Sequence, residues 1–194
     1  MEEPASNQAF FNSRLVGLMF LHNKEAFFGT LSLFAESEAM KQSTDKLGDE
    51  GYGMMSRLVY RPLRDPGKIL HVGLSGAFES PRYNAKPENN HRSYTLKSEF
   101  PTRIARVAAQ QADITEAKML YKFTPEVTAA VGRLAIESQY FFVTVNREND
   151  LSRYQASGAY ALLRGLVKGK SYVYSNGDSG IGTPAPGSME LVLT

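Results

Sequence analysis

The chain has 194 residues, 42% hydrophobic and 22% charged, which is enough for one sizeable folded unit and too apolar for a disordered tail. With 22 Lys and Arg against 20 Asp and Glu the formal charge is +2, too small to indicate a nucleic-acid partner, and none is expected. Cysteine is absent, which excludes disulfides, thiolate metal sites and a Cys nucleophile. No run reaches the roughly 18 apolar residues of a membrane helix, and the start MEEPASNQAFF is acidic, without a basic region followed by an apolar one. Membrane strands stay open, since about 9–11 residues with every second side chain apolar suffice.

In chain order, two-residue periodicity predicts strands over 13–22, 26–36, 51–62, 68–80, 116–124, 127–145, 153–165 and 189–194. The connectors NKE (23–25), LRDPGK (63–68) and TPE (124–126) are short and carry turn residues, whereas 37–50, 81–115 and 146–152 are longer and polar. Alternation of short and long connectors suits an outer-membrane barrel, with short periplasmic turns and longer outer loops. The stretch 166–188 breaks it, being long where a short turn is due.

Each strand sorts its side chains. Over 51–62, Tyr52, Met54, Ser56, Leu58 and Tyr60 share one face, and Met55, Arg57, Val59 and Arg61 the other. Leu70, Val72, Leu74 and Phe78 oppose His71, Ser75 and Glu79; Phe27, Leu31 and Leu33 oppose Phe28, Thr30 and Ser32. Ala117, Met119, Tyr121 and Phe123 oppose Glu116, Lys118, Leu120 and Lys122; Leu134, Ile136 and Tyr140 oppose Arg133, Glu137 and Gln139. Tyr154, Ala156, Gly158, Tyr160 and Leu162 oppose Arg153, Gln155 and Ser157. A soluble sheet with one wet face shows the same periodicity. Tyrosines near strand ends (Tyr52, Tyr60, Tyr121, Tyr140, Tyr154), long strands and recurrent strand glycines favour the first-named, apolar faces meeting lipid.

On that parity the inward charges are Arg57, Arg61, Lys118, Lys122, Arg133 and Arg153 against Glu36, Glu79, Glu116 and Glu137. The segment 82–106 adds Arg82, Lys86, Arg92, Lys97, Arg103 and Arg106 against Glu88 and Glu99, a candidate basic loop folding into the lumen. Guanidinium groups bind phosphate oxygens in pairs, and Lys acts as a mobile point charge. The candidate anion-binding residues are therefore Arg57, Arg61, Arg92, Arg103, Arg106, Lys118, Lys122 and Arg133. No catalytic constellation is found: His22, His71 and His91 lack metal-ligand spacing, and NGDSGIGTPAPG (176–187) precedes no helix. ARVAAQQADITEAKMLYKF (105–123) has spacing compatible with a short helix.

The succession QADITEAKMLYKFTPEVTAAVGRLAIESQYFFVTVNREN (111–149), YQASGAYALLRG (154–165) and PAPGSMELVLT (184–194), with GDEGYGMMSRLVYRPL and KILHVGLSGAF before it, resembles the phosphate-selective porin O and P family, particularly its Bacteroides-type members. The resemblance implies an all-β, antiparallel transmembrane β-barrel in the outer membrane of a Gram-negative bacterium. It further implies passive diffusion of small anions such as phosphate, contact with outer-membrane lipid, a homotrimer and no cofactor. Met189 stands where many members carry Trp. Members have more strands than the eight or nine expected here, so residues 1–194 are expected to be one barrel segment, an internal fragment of a larger porin. The alternative expectation is a soluble antiparallel sandwich or half-barrel that binds a ligand or carbohydrate on its polar face.

Overall fold

The computed structural model describes residues 15–36, 51–81, 93–99, 108–177 and 179–193. Eight strands form an antiparallel up-and-down sheet: β1 (Leu15–Asn23), β2 (Phe27–Glu36), β3 (Tyr52–Asp65), β4 (Lys68–Glu79), β7 (Ala117–Val131), β8 (Leu134–Arg147), β9 (Tyr154–Lys168) and β12 (Met189–Leu193), adjacent in that order. Two inserted hairpins complete the described fold, β5 (Tyr94–Glu99) with β6 (Ala108–Ile114) and β10 (Tyr174–Ser175) with β11 (Gly180–Ile181). β3 has 14 residues and β7 and β9 have 15 each, well beyond the about 5–6 usual in soluble sheets and enough to cross a bilayer at a tilt. β1 and β12 are the edges and do not pair with each other, so the sheet is not closed.

Register turns the alternation of each strand into two continuous faces. Leu18, Leu33, Met54, Phe78 and Tyr121 are successive cross-strand partners on one face, and Leu58 pairs with Leu74. This outer face is apolar and uncovered: Leu58 is 61% exposed and Leu134 69%. Apolar exposure on this scale is not tolerated in water, but it is what a sheet presents to hydrocarbon. Phe27 and Tyr60 adjoin on this face with ring centroids 5.0 Å apart. The soluble alternative requires the apolar face to be the covered one, and here the covers lie on the two ends of the opposite, inner face.

Several expected boundaries move. TPE is not a turn: β7 runs through Thr124, Pro125 and Glu126, and the reversal falls at 132–133, where Gly132 takes a positive φ of 58°. Pro125 pairs with Leu74 on one side, while the ladder to β8 passes from Phe123 directly to Glu126, so the missing N–H costs pairing only there. The helix allowed over 105–123 is absent from its described part, where β6 and β7 are strands. A bulge between Ala117 and Met119 turns Ala117 inward beside Leu120 and leaves Lys118 exposed. The faces of β9 are the reverse of expectation. Gln139 is Tyr160's cross-strand partner and accepts its O–H bond at 2.9 Å, so Tyr154, Tyr160 and Leu162 belong to the inner face.

The inserted hairpins cover the two ends of the inner face. At the loop end, Ile114, Leu96 and Tyr94 pack on Leu120, Val143 and Val145. At the turn end, the stretch 169–188, long where a short turn was due, folds back as a strap. Its Tyr172 and Tyr174 pack on Ile69, Ala130, Ala135 and Leu166, and its backbone is tied to the turns by Gly67 N–H to Tyr172 O (2.8 Å) and Tyr172 N–H to Gly132 O (3.3 Å).

Candidate pore-lining site

Between the two covers the inner face is polar, and its charges are paired. Glu126 is the hub, 6% exposed. Its Oε1 accepts from Arg57 Nε (2.8 Å) and from His71 Nε2 (3.0 Å), and its Oε2 from Gln139 Nε2 (2.8 Å). The side chain lies flat across Gly73, where a Cβ would collide with its carboxylate; glycine is required there by this close approach. His71 is buried, with Nδ1 2.8 Å from the Tyr174 hydroxyl of the strap. Lys122 Nζ meets Glu79 Oε1 at 3.0 Å. Nearer the turn end, buried Arg164 binds both Glu137 and Glu190, the latter at 2.7 Å, and Tyr172 donates its O–H to the same Glu190 oxygen at 2.7 Å.

Arg61 is of a different kind. It is 1% exposed, and all five of its guanidinium donors are used. Nε binds Glu25 O (3.2 Å), Nη1 binds Asn176 O (3.3 Å) and Ser179 Oγ (3.1 Å), and Nη2 binds Lys24 O (2.7 Å) and Asn23 Oδ1. Its planar group lies near the rings of Phe28 and Tyr174, 5.8 and 5.6 Å from their centroids. No acceptor is a carboxylate. Arg61 fastens the β1–β2 turn to the strap.

The expected anion-binding residues are therefore distributed as follows. Arg57 and Lys122 reach the inner face, each beside a carboxylate. Arg61 points inward but, against expectation, has no donor left for an anion. Lys118 is exposed at the bulge, and Arg133 sits exposed in the β7–β8 turn rather than on the inner wall, because the reversal falls at that residue. Arg153 is likewise exposed, ahead of β9. Arg92, Arg103 and Arg106 lie outside the described residues. Sequence reasoning missed Glu126, His71 and Gln139 as one network, and also Arg164. Carrying the Lys122 parity through Pro125 would have placed Glu126 inward; reading Pro as a turn hid it.

Away from the spanning strands, burial in the strap pushes the Tyr172 phenol up to about 12, helped by the Glu190 carboxylate. In the β5–β6 hairpin, hydrogen bonds from Thr95 and Gln111 hold the Asp113 carboxyl below its ordinary value. At the turn end, Lys24, Lys68, Arg133, Lys168 and Lys170 are exposed, against exposed Glu25 and Asp65. Among the described residues no group of three His, Asp or Glu is placed to hold a metal.

What this arrangement offers is an apolar exterior, a polar interior between two covers and a charged mouth. Comparison with curated proteins finds no significant match. The family model for phosphate-selective porin O and P matches residues 1–190. With the lipid-type exterior and polar interior already described, that match, which spans nearly the whole chain, makes this protein a member of the phosphate-selective porin O and P family, an outer-membrane porin of β-barrel type.

Proposed function

We propose that the chain forms part of the wall of a passive channel for small anions of the phosphate class, which leave unchanged on the far side. The observation that carries the anion preference is the basic rim at the turn end, five exposed cations against two exposed carboxylates among the described residues. Like charges around a pore mouth raise the local concentration of counter-ions and their entry rate by about 10–10³. They hold the ions weakly enough for release. Arg92, Arg103 and Arg106 in the loop 82–106 belong to the same proposal, adding positive field. The unpaired edges of β1 and β12 cannot lie in hydrocarbon, where every backbone group needs a partner. Further strands of a larger barrel, assembled as a trimer, supply those partners in this reading.

Reversal potentials of the porin in planar bilayers under a KCl gradient test the rim. Replacing Lys24, Lys68, Lys168 and Lys170 with Gln together is expected to lower the anion-to-cation permeability ratio at least about threefold. An unchanged ratio removes the rim as the source of selectivity.

A further inference from the structure

Between the strap and the β5–β6 hairpin, the concave inner face of the sheet forms an open cavity of about 520 Å³. That lies in the range of about 300–1,000 Å³ that holds a small organic molecule. Its charged walls cancel: Arg57 stands against Glu126 and Lys122 against Glu79. An anion entering here meets two carboxylates for two cations, and two of Arg57's three nitrogens are already bonded, Nε to Glu126 and Nη2 to Ser179 O at 3.2 Å. The rim can concentrate anions, but this cavity gives them no net attraction.

The remaining wall suits a neutral solute. Ser75 and Thr124 face each other as register partners on β4 and β7, and neither hydroxyl has a protein partner among the described residues. Arg57 Nη1 also has none. The two hydroxyls can each donate and accept and Nη1 donates, which suits the hydroxyls of a sugar, each of which both donates and accepts. On the β8–β9 side the rings of Tyr160 and Phe141 stack at 6.1 Å and 29°, an apolar flank for the C–H face of a pyranose. Tyr160 is held in place by its bond to Gln139, which in turn binds Glu126. We propose that this cavity is a binding site for a neutral saccharide of one or two pyranose rings, met by the solute on its way through the channel. The proposal rests on the channel reading above.

The test is ion current through the porin in planar bilayers with maltose added as the probe. The expected result is a saturable reduction of the current. Thr124→Val, nearly isosteric and losing only an unpartnered hydroxyl, raises the half-saturating concentration about fivefold. Tyr160→Ala raises it about tenfold or more. Heat-modifiable gel mobility verifies that each variant is folded. A current that falls in simple proportion to maltose and ignores Thr124→Val overturns the site. So does saturation by inorganic phosphate that Thr124→Val relieves, which would make the cavity an anion site. A folded porin that carries no ion current overturns the channel reading itself, a result distinct from a conducting channel without saturation.

Discussion

Replacing Arg61 with methionine should release the strap from the β1–β2 turn. The side chain gives up five hydrogen bonds, each worth about 1.5–3 kcal/mol when one partner is charged, but the loss is well below five times that. Asn23, Lys24 and Asn176 are exposed, and water can take over their oxygens and that of Glu25. Ser179, 1% exposed, has its hydroxyl stranded at about 1–3 kcal/mol. Two cation–π contacts of about 0.5–1 kcal/mol each go as well, partly replaced by the methionine sulfur between the same rings. The sum is about 3 kcal/mol, and at 1.4 kcal/mol per tenfold the strap opens about 100 times more often. Amide hydrogen exchange of a peptide covering 171–182 should accelerate by that factor, with β7 and β8 unaffected. Arg61→Lys keeps the charge but has three donors on one atom that cannot reach across both segments, so it should fall between. Exchange in 171–182 within about threefold of the parent for Arg61→Met would refute the clamp.

Three further outcomes follow from the same geometry. Leu58→Arg, on the outer face opposite Leu74, should cost about 2–4 kcal/mol in urea titrations of folding into lipid vesicles, the penalty near the bilayer midplane; a cost under about 0.5 kcal/mol would place Leu58 away from lipid. Gly73→Ala should cost about 1–3 kcal/mol by driving its methyl into Glu126. Gly76→Ala, whose Cβ would meet nothing nearer than Lys122 O at 3.7 Å, should be close to neutral in the same titration. Tyr172 binds its proton more tightly folded than unfolded, so its contribution to stability is complete below the ordinary tyrosine value of 10.0 and disappears as pH rises toward about 12. Absorbance at the phenolate band should show a late-titrating component that Tyr172→Phe removes, and Glu190→Gln should advance it without restoring the ordinary value, because burial is the larger cause.

How far the site could be read depended on the residue. Arg57 and Lys122 were legible because unbroken alternation carries parity along β3 and the second half of the path into β7. Lys118 was not, because the bulge beside it exchanges faces within one step. Arg133 was misplaced because a two-residue reversal at Gly132 looks, in sequence, like the continuation of a strand. Tyr160 was assigned to lipid because its neighbours are small and apolar on either side, so β9 has no strong contrast between faces, and only register against Gln139 decides it.

What the sequence alone determined is the kind of surface: two-residue alternation over long segments makes ribbons with one oily side, and that property survives small errors of boundary. It therefore carried the outer face, the antiparallel meander and the family. What only the tertiary structure decided is which charges are spoken for. Glu126 lies 69 residues from Arg57 and 55 from His71, and Ser179 lies 118 from Arg61. No local pattern links such pairs, because an ion pair depends on distance in space after the sheet has set its register and the strap has folded back. A side chain read as free to bind a passing anion can thus be committed already to holding the wall together.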